Sequence, residues 1–440
     1  MDNLLAARAL MGLSLVFHIV YATMGIGLPL LLTLSEGLAL KTGDDSWHDL
    51  ARRWIRPAGV LFAIGAVSGT ILSFELGLLW PQFMAFSGPL IGLAFSMEGF
   101  AFFTEAIFLA LYIYGEHRLS RRALFLCTIP MTLASAISAV FVISANGWMN
   151  TPSGFRLLNG AVADVRPLEA FANPAWLHEA VHGTLAAYVA TGFAVAGFYA
   201  AALLRGALVA HAKKALLLSL SVATFALPLM LASGDWAADF VADHQKAKFA
   251  GMEAHFHTMA GAPLVIGGWP DPATGTVSYA LKLPKLLSVL AHSDPNAVVQ
   301  GLDAFPADEI PDPRLVHPFF DLMVGSFFIM AAAASWFWWL RWRQGEVPVR
   351  RGPLLLLLAA SPFGMLALES GWMVTEFGRQ PWIVQGYLRT SQTVTPHGGV
   401  FLVFATFLLV YLALTVGILR LLIAPGARGK AGTGGEVRHV

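Results

Sequence analysis

The sequence predicts an all-α polytopic membrane protein with about nine transmembrane helices. Hydrophobic residues make up 57% of the 440-residue chain and charged residues only 12%, against about 25% charged in an ordinary soluble domain. Nine stretches are long and apolar enough to cross a bilayer, which takes roughly 20 residues. The net charge of +1, without a basic stripe, excludes a nucleic-acid-binding protein. The single cysteine excludes internal disulfides and Cys-rich metal sites.

The predicted spans alternate with short polar loops, with one exception. They cover residues 9–35, 54–76, 91–115, 123–146, 177–204, 214–235, 317–341, 353–376 and 397–423. The exception is a loop rich in Pro, Asp and His between spans 6 and 7, and loops of this length are usually functional or disordered. The expected units are therefore residues 1–235 with six spans, the loop 236–316, residues 317–425 with three spans, and a disordered tail at 426–440.

Loop charges predict how the spans are oriented. The loops after spans 1, 3, 5 and 7 and the C-terminal tail carry 18 Lys and Arg residues, and the N-terminus and remaining loops carry 10. Half of those ten lie in the long loop, and long loops contribute little to orientation. Because cytoplasmic loops hold the excess of Lys and Arg, we expect the N-terminus and the long loop outside and the C-terminus in the cytoplasm.

Possible ligands for a metal or a haem iron occur in the outer part of five predicted spans. They are His18, Glu98, His182, Met323 and Glu376, one in each of spans 1, 3, 5, 7 and 8. Ionisable groups inside a bilayer are costly and usually functional. Imidazole, thioether and carboxylate groups can all ligate haem iron. The occurrence of all five residues at the same depth favours haem binding. Single His and Met residues in spans, however, are often interfacial or packing residues.

A second pattern points to a different class of enzyme. Residues 178–182 read His-Glu-Ala-Val-His, which matches the H-E-x-x-H motif of zinc proteases, with Glu179 as the general base. The alternative is therefore an intramembrane zinc metalloprotease. No later span offers a recognisable third zinc ligand, however, and His178 falls at the very start of its span. A transporter is a third class, but no paired broken helices mark it.

Four motifs carry a resemblance to a known family. They are GWMVTEFGRQPW at Gly371–Trp382, MEGFAFFTE at Met97–Glu105, SANGWMNTPSG at Ser144–Gly154 and QKAKFAGMEA at Gln245–Ala254. With these motifs, the span count and the long loop, the chain resembles subunit I of the cytochrome bd-type quinol oxidases over about residues 5–425. The resemblance extends to the cyanide-insensitive branch of this family. The long loop of about 80 residues is typical of the short-loop class of the family.

The resemblance implies a set of haem-site residues. His182 and Met323 match the axial pair of a low-spin haem b. His18, Glu98 and Glu376 match residues around two high-spin haems, one a haem b and the other a haem d or a further haem b. The residues that match groups flanking the haems are Trp372, Arg379 and Trp382.

The resemblance also implies the reaction and its surroundings. Quinol is oxidised at the outer face by the long loop, where Lys248 and Glu253 match quinol-site residues, and O2 is reduced to water with cytoplasmic protons. Glu105 matches a second carboxylate set deeper than Glu98, and the two are candidates for a proton relay. The expected partner is a second membrane subunit, subunit II, with room for small single-span subunits. The expected location is the bacterial cytoplasmic membrane.

Two positions depart from the family pattern. Some members have a basic residue two positions before the haem-ligating Met, where this chain has Asp321. A carboxylate there would repel a haem propionate, so Asp321 either faces elsewhere or is protonated. Glu98 and Glu105 are seven residues apart, whereas some members have eight. Seven residues are close to two helical turns, so we expect both side chains on one helix face.

Overall fold

The structure is a computed structural model that describes residues 2–207 and 209–423. Within this part of the chain, nine helices are long and apolar enough to cross a membrane, which confirms the predicted all-α membrane fold. The tail predicted at 426–440 lies outside the described residues. In chain order the helices are α1 (Asn3–Thr42), α2 (Asp45–Leu79), α3 (Pro81–Gly115), α4 (Arg121–Asn150), α5 (Pro167–Phe171), α6 (Trp176–Leu204), α7 (Val209–His244), α8 (Lys246–Met252), α9 (Leu286–His292), α10 (Pro313–Gln344), α11 (Arg351–Arg379) and α12 (Val400–Ile423). Helices α5, α8 and α9 are short.

Ten short strands form five antiparallel pairs between the helices. They are β1 (Arg156–Leu158), β2 (Ala161–Ala163), β3 (Met259–Ala260), β4 (Leu264–Ile266), β5 (Trp269–Asp271), β6 (Thr276–Ser278), β7 (Leu281–Leu283), β8 (Val298–Val299), β9 (Trp382–Val384) and β10 (Leu388–Arg389). Between α8 and α10 the pairs are nested, with β5–β6 innermost, then β4–β7, then β3–β8. This nesting folds the segment back on itself over the helix ends.

The long loop is shorter in the structure than the predicted range 236–316. Helix α7 continues to His244, beyond the predicted end at 235, because no Gly or Pro interrupts it there. Helix α10 begins at Pro313 rather than 317. Asp312 caps that helix by accepting a hydrogen bond from Arg314 N at 3.0 Å, and Pro suits the first helical position. The segment between the long helices is therefore 245–312.

Small residues allow the long helices to pack closely at the centre of the bundle. A Cβ built on Gly27 of α1 would fall 2.2 Å from Thr191 Oγ1 of α6, and one built on Gly364 of α11 would fall 2.6 Å from Ala190 Cα. Close approach through small residues is the usual means of helix association in a bilayer. These contacts place α6 between α1 and α11, which are the helices that carry the candidate ligands His18 and Glu376.

The bundle has two distinct ends. We call the end that carries segment 245–312 the loop end, where Gln385 N donates to Met149 O at 2.9 Å and Thr395 N donates to Leu79 O at 2.8 Å. The opposite end is closed by ion pairs between helix termini, namely Arg52–Glu116, Arg121–Asp45 and Lys214–Asp44.

Candidate functional site

The histidines His18 and His182 occupy matching settings on α1 and α6. His18 Nδ1 lies 2.9 Å from Ser68 Oγ of α2, and His182 Nδ1 lies 3.0 Å from Ser233 Oγ of α7. Each serine hydroxyl donates to a carbonyl of its own helix, Ser68 to Ile64 O at 2.9 Å and Ser233 to Met230 O at 3.0 Å.

This arrangement determines which nitrogen of each ring is free. Because the serine hydroxyl hydrogens are committed to backbone carbonyls, the serine oxygens accept the hydrogen of Nδ1. The Nε2 atoms of His18 and His182 are then the unprotonated nitrogens, with a lone pair available for a metal ion. A hydrogen bond on the second ring nitrogen is the usual way in which proteins fix a metal-ligating histidine.

Each candidate ligand on α1, α6 and α10 also faces a glycine of the next helix. A Cβ on Gly69 would lie 3.0 Å from His18 Cε1, and a Cβ on Gly234 would lie 3.4 Å from His182 Cε1. On α11, a Cβ on Gly371 would lie 3.1 Å from the sulfur of Met323. A side chain at Gly69 or Gly371 would crowd His18 or Met323, whereas one at Gly234 would reach only ordinary contact distance from His182.

His182 and Met323 belong to one sub-bundle, formed by α6, α7, α10 and α11. Trp372 of α11 packs against a small apolar cluster that includes Ile19 of α1 and Ala190 of α6. Its ring therefore lies where α11 meets the two helices that carry His18 and His182.

Glu376 lies in the last turn of α11 and is paired with a buried arginine. Arg379 is 2% exposed and donates from Nη2 to Glu376 Oε2 at 2.6 Å and from Nη1 to Asn146 Oδ1 at 3.1 Å. Its Nε has no hydrogen-bond partner in the described part of the chain. The Nε–H group of Arg379 is therefore a free hydrogen-bond donor beside the Glu376 carboxylate.

An amide-linked network extends from Asn146 to the loop segment. The Asn146 and Asn150 amides donate to the two oxygens of Glu179, at 3.0 Å and 3.3 Å. Lys248 of α8 donates to Asn150 Oδ1 at 3.3 Å and to Gln245 Oε1 at 3.0 Å. Burial lowers the pKa of Lys248 to about 8. The sequence analysis missed Glu179 as part of this network, although Asn146 and Asn150 lie within one of its motifs.

A polar cavity of about 270 Å³ lies between α8 and the end of α11. Its lining includes Gln245, Lys248, Arg379, Gln380 and Gln385. Two buried cations therefore face the same space. The lining also contains Asp243 and Glu309, so side chains of both charges face the space, and Lys248 and Arg379 are the groups there that could bind a carboxylate.

Trp382 lies just beyond α11, at the start of β9. The Arg389 guanidinium is 5.0 Å from the centroid of its ring, a cation–π distance. Arg389 also donates to Asp308 Oδ2 at 2.7 Å. Trp382 is therefore held against the loop segment rather than exposed to solvent.

The carboxylates of α3 share one face, as the seven-residue spacing predicts. Glu105 is buried on the same stripe as Ala101, Leu109 and Tyr112. Glu98, two turns closer to the loop end, accepts a hydrogen bond from Ser138 Oγ at 3.3 Å. Glu98 and Glu105 therefore lie on one face of α3, about 10 Å apart along the helix axis.

Glu369 is a second buried carboxylate on α11, two turns from Glu376. Both of its oxygens are buried and lack a partner among the described residues. Most buried polar groups are hydrogen-bonded, so Glu369 is a further candidate functional residue that the sequence analysis did not assign. The sequence feature that could have identified Glu369 is its position seven residues before Glu376, in the span that carries the motif Gly371–Trp382.

Glu253 is the C-cap residue of α8. It is 5% exposed, and its Oε2 has no partner in the described part of the chain. Burial, followed by the negative charge of Asp321, raises the pKa of Glu253 to about 8. A carboxylate with such a pKa can accept and release a proton near neutral pH.

The zinc-protease reading of residues 178–182 gains no support. His178 packs against the rings of Trp236 and Phe240, with centroid distances of 5.9 Å and 4.3 Å. Glu179 is engaged by two asparagines, so it is not placed as a base beside a zinc-bound water. No cluster of three or more His, Cys, Asp or Glu side chains suited to a metal ion occurs within residues 2–207 and 209–423.

The residues at the loop end do fit haem. A haem iron needs ligand atoms, and the free Nε2 atoms of His18 and His182 and the thioether of Met323 can serve as such. The haem propionates need hydrogen-bond donors, which the buried cations at the polar cavity can supply.

Comparisons with known proteins agree with this description. The family model of cytochrome bd terminal oxidase subunit I matches residues 6–430. The chain is 36% identical to a putative cytochrome bd menaquinol oxidase subunit I of Bacillus subtilis, over 96% of both chains. It is 30% identical to a cytochrome bd ubiquinol oxidase subunit 1 of the same organism, over 90% of this chain and 87% of that protein.

A solved structure shows the same fold. The bd oxidase structure from Geobacillus thermodenitrificans matches with a TM-score of 0.91 and 37% identity, over 96% of this chain and 98% of that chain. Because the family model covers nearly the whole sequence, the chain belongs to the cytochrome bd terminal oxidase subunit I family.

Proposed function

We propose that this chain oxidises quinol at the outer membrane face and reduces O2 to water with cytoplasmic protons. Family membership supports the quinol oxidase activity and the need for haem. The observation that carries the haem sites is the matched setting of His18 and His182, each with Nδ1 held by a serine and Nε2 left free. Haem supplies electron transfer and oxygen reduction when bound, and the chain supplies ligands, positions and protons.

At the low-spin site, His182 and Met323 would hold the iron of a haem b. Ser233 fixes the ring of His182, and the Gly371 backbone leaves room beside the thioether of Met323. A His/Met pair suits a haem that would supply electron transfer.

At the high-spin sites, His18, Glu98 and Glu376 would serve two haems, one a haem b and the other a haem d or a further haem b. Trp372, which packs against Ile19 of α1 and Ala190 of α6, would flank these haems. Arg379 and Lys248 line the cavity in which propionate carboxylates would bind. Trp382 holds the nearby loop against the end of α11.

Quinol would be oxidised beside segment 245–312, within the unit predicted at 236–316. Glu253 is the proposed base, since it is buried, unpartnered at Oε2 and close to α10, the helix that carries Met323. It would accept a hydroxyl proton from the quinol and pass it to the outer side. Lys248 of the same short helix would add positive charge near the site.

Protons for oxygen reduction would move along α3 from the cytoplasmic side. Glu105 and Glu98 lie on one face of that helix, two turns apart. Chains of carboxylates are a common proton route through membrane proteins. Glu105 would receive each proton first and Glu98 would hand it to the oxygen site.

The proposed assembly is a complex in the bacterial cytoplasmic membrane. Members of this family work with a second membrane subunit, subunit II, and small single-span subunits would be additional partners. In the proposed layout, residues 1–235 and 317–425 form the membrane part and the segment between them forms the outer quinol-binding part. The N-terminus would be outside and the C-terminus cytoplasmic, as the loop charges predict.

Quinol-driven oxygen uptake by the purified complex with subunit II tests this function. We expect two quinols to be oxidised for each O2 consumed. We also expect the cofactor extracted from the purified complex to be haem. Oxygen uptake that yields hydrogen peroxide would contradict complete reduction to water. Zinc in place of haem by elemental analysis would restore the protease alternative.

A further inference from the structure

Glu179 of α6 belongs to the His-Glu-Ala-Val-His stretch at 178–182, and the proposed function gives it no role. Its two carboxylate oxygens have different partners on α4. Asn146 Nδ2 donates to Oε2 at 3.0 Å, and Asn150 Nδ2 donates to Oε1 at 3.3 Å. Because residues four apart lie on the same face of a helix, both amides reach α6 from one side of α4. Glu179 therefore joins the two asparagines into one hydrogen-bonded unit.

Each asparagine also binds a buried cation through the oxygen of its amide. Arg379 Nη1 donates to Asn146 Oδ1 at 3.1 Å, and Lys248 Nζ donates to Asn150 Oδ1 at 3.3 Å. Arg379 and Lys248 are both buried. The side chains thus form a continuous chain of hydrogen bonds, which begins on α11, passes through α4 and α6 and ends on α8. Glu179 stands at its centre.

The Glu179 carboxylate favours one orientation of both amides. An asparagine amide accepts hydrogen bonds at its oxygen and donates them from its nitrogen. If either amide turned over, its oxygen would face a Glu179 oxygen and its nitrogen would face a cation, so both contacts would be lost. Asn150 Nδ2 also donates to Asn146 O at 3.1 Å, which favours the same orientation. With Glu179 in place, the oxygen of each amide therefore points to its cation.

Lys248 is held at a defined place by this arrangement. Its ammonium group has three hydrogens. It donates to Asn150, to Gln245 Oε1 at 3.0 Å and to Thr375 Oγ1 at 3.2 Å. Its stem crosses α11 at Gly378, where an added Cβ would lie 2.7 Å from Lys248 Cγ. Since Lys248 lines the polar cavity, the place of its charge in the cavity wall depends on the contact with Asn150.

Arg379 is held in a similar way at the other end of the chain. Nη1 donates to Asn146, and Nη2 donates to Glu376 Oε2 at 2.6 Å. Because the guanidinium group is planar and its donors form a rigid fork, the first hydrogen bond restricts the direction of the second. The position of Arg379 beside the Glu376 carboxylate therefore depends on Asn146.

We propose that Glu179 is a positioning residue that serves two sites through its two asparagines. Through Asn150 it places Lys248 beside the proposed quinol site, and through Asn146 it places Arg379 beside a proposed haem ligand. The proposal rests on the proposed function of these two sites. Glu179 touches neither the quinol nor the haem in this account, and it exchanges no proton.

Variants of the two asparagines test each arm in the complete complex with subunit II. Asn150→Leu keeps a similar volume and removes the acceptor for Lys248. We expect the KM for quinol to rise about 10-fold, with kcat within roughly twofold of wild type. Asn146→Leu removes the acceptor for Arg379, so we expect the high-spin haem bands of the reduced spectrum to shift while KM stays unchanged. An unchanged KM in the first variant or an unchanged spectrum in the second would overturn the corresponding arm.

Glu179→Leu removes both carboxylate oxygens and should combine the two effects. The double variant Glu179→Leu/Asn150→Leu tests the route: KM should rise no further than in the single variants, since both act on the same contact. Additive rises would show that Glu179 acts on quinol by another route and would overturn the proposal. Glu169→Leu, which changes an exposed glutamate of α5, is the control and should match the wild type.

A merely structural role of Glu179 gives a different result. It would lower the yield of assembled complex and leave the KM and the spectrum of the assembled fraction unchanged, which would overturn the proposal. If Glu179→Leu does not assemble, Glu179→Gln replaces it, because it keeps the size and one acceptor oxygen. One amide must then turn over, so KM or the high-spin bands should change. If neither changes, the proposal is wrong.

Lys248→Met tests the underlying quinol site separately. It keeps the length of the side chain and removes the charge, so KM should rise at least as far as in Asn150→Leu. An unchanged KM in Lys248→Met would remove Lys248 from the quinol site and contradict the proposed function there. A raised KM in Lys248→Met, with KM and spectrum unchanged in Glu179→Leu, would contradict only the role of Glu179.

Discussion

The two ends of the bundle differ in whether all of their buried carboxylate oxygens have hydrogen-bond partners. At the opposite end, Glu36 is completely buried and accepts hydrogen bonds from the Tyr112 hydroxyl and from His48 Nδ1, the latter at 2.9 Å. Toward the loop end, Glu369 buries both oxygens and Glu253 buries one without a partner among the described residues. An unsatisfied buried polar group costs about 1–3 kcal/mol. The contrast indicates that the loop end is built to receive groups that the protein itself does not supply.

The histidines show the same contrast. His48 at the opposite end is paired with the Glu36 carboxylate, as a structural histidine usually is. His18 and His182 are each held at Nδ1 by a serine and keep Nε2 free. The fully paired cluster Glu36–His48–Tyr112, which we call the inner triad, is therefore a stability element. The loop-end histidines keep a ring nitrogen free, as the proposed ligand role requires.

The largest expected effect is on Met323. Met323→Leu keeps the volume but removes the thioether, so we expect loss of the low-spin haem signal with the high-spin signals retained. The optical spectrum of the dithionite-reduced protein measures this. Met330→Leu, a buried methionine of the same helix, is the matched control and should leave the spectrum intact. An unchanged low-spin spectrum in Met323→Leu would refute the ligand assignment.

A smaller effect is expected at Glu105. Glu105→Gln removes a proton-carrying group, so oxygen reduction should slow by about 10²-fold. Quinol should still reduce the low-spin haem at its normal rate, which serves as the internal control. Stopped-flow spectroscopy separates the two steps. Normal turnover in this variant would remove Glu105 from the proton route.

The inner triad predicts a stability effect without a spectral one. Tyr112→Phe deletes one of the hydrogen bonds to Glu36, and we expect a loss of about 1–3 kcal/mol in the free energy of unfolding. Thermal unfolding of the purified complex measures the change in Tm. Tyr114→Phe, an exposed tyrosine two residues away, is the control. Loss of haem from Tyr112→Phe with an unchanged Tm would contradict the assignment of the inner triad to stability rather than to haem binding.

The smallest expected effect concerns the serine that holds His182. Ser233→Ala frees the imidazole ring, and partners of this kind typically contribute 10- to 100-fold in metal affinity (about 1.4–2.7 kcal/mol). We expect weaker retention of the low-spin haem and a changed midpoint potential, measured by redox titration. Ser219→Ala alters a buried serine of the same helix that binds only backbone. Identical titrations for both variants would show that Ser233 does not orient the ligand.

The sequence was sufficient for the helices and for the residue types in the candidate site. Apolar length predicted nine spans, and depth within the spans placed His18, His182 and Met323 in one layer. Helix ends were less accurate. The predicted loop 236–316 began too early because α7 continues through a polar stretch that hydropathy excludes from the membrane.

Partners across helices could not be predicted. Ser68 and Ser233 are ordinary small residues of spans 2 and 6, and each lies about 50 residues from the histidine that it holds. His317 lies near a helix start, and its contacts with Met252 O and Gly267 O exist only because the folded loop segment brings those residues to it.

A reduced-minus-oxidised optical spectrum of the purified protein with subunit II tests the central claim most directly. If the loop end holds haems at His18, His182 and Met323, the spectrum will contain cytochrome b bands. A far-red band would add haem d, and b bands alone would make the third haem a haem b. A spectrum without cytochrome bands would contradict the assignment of the loop end as a haem site.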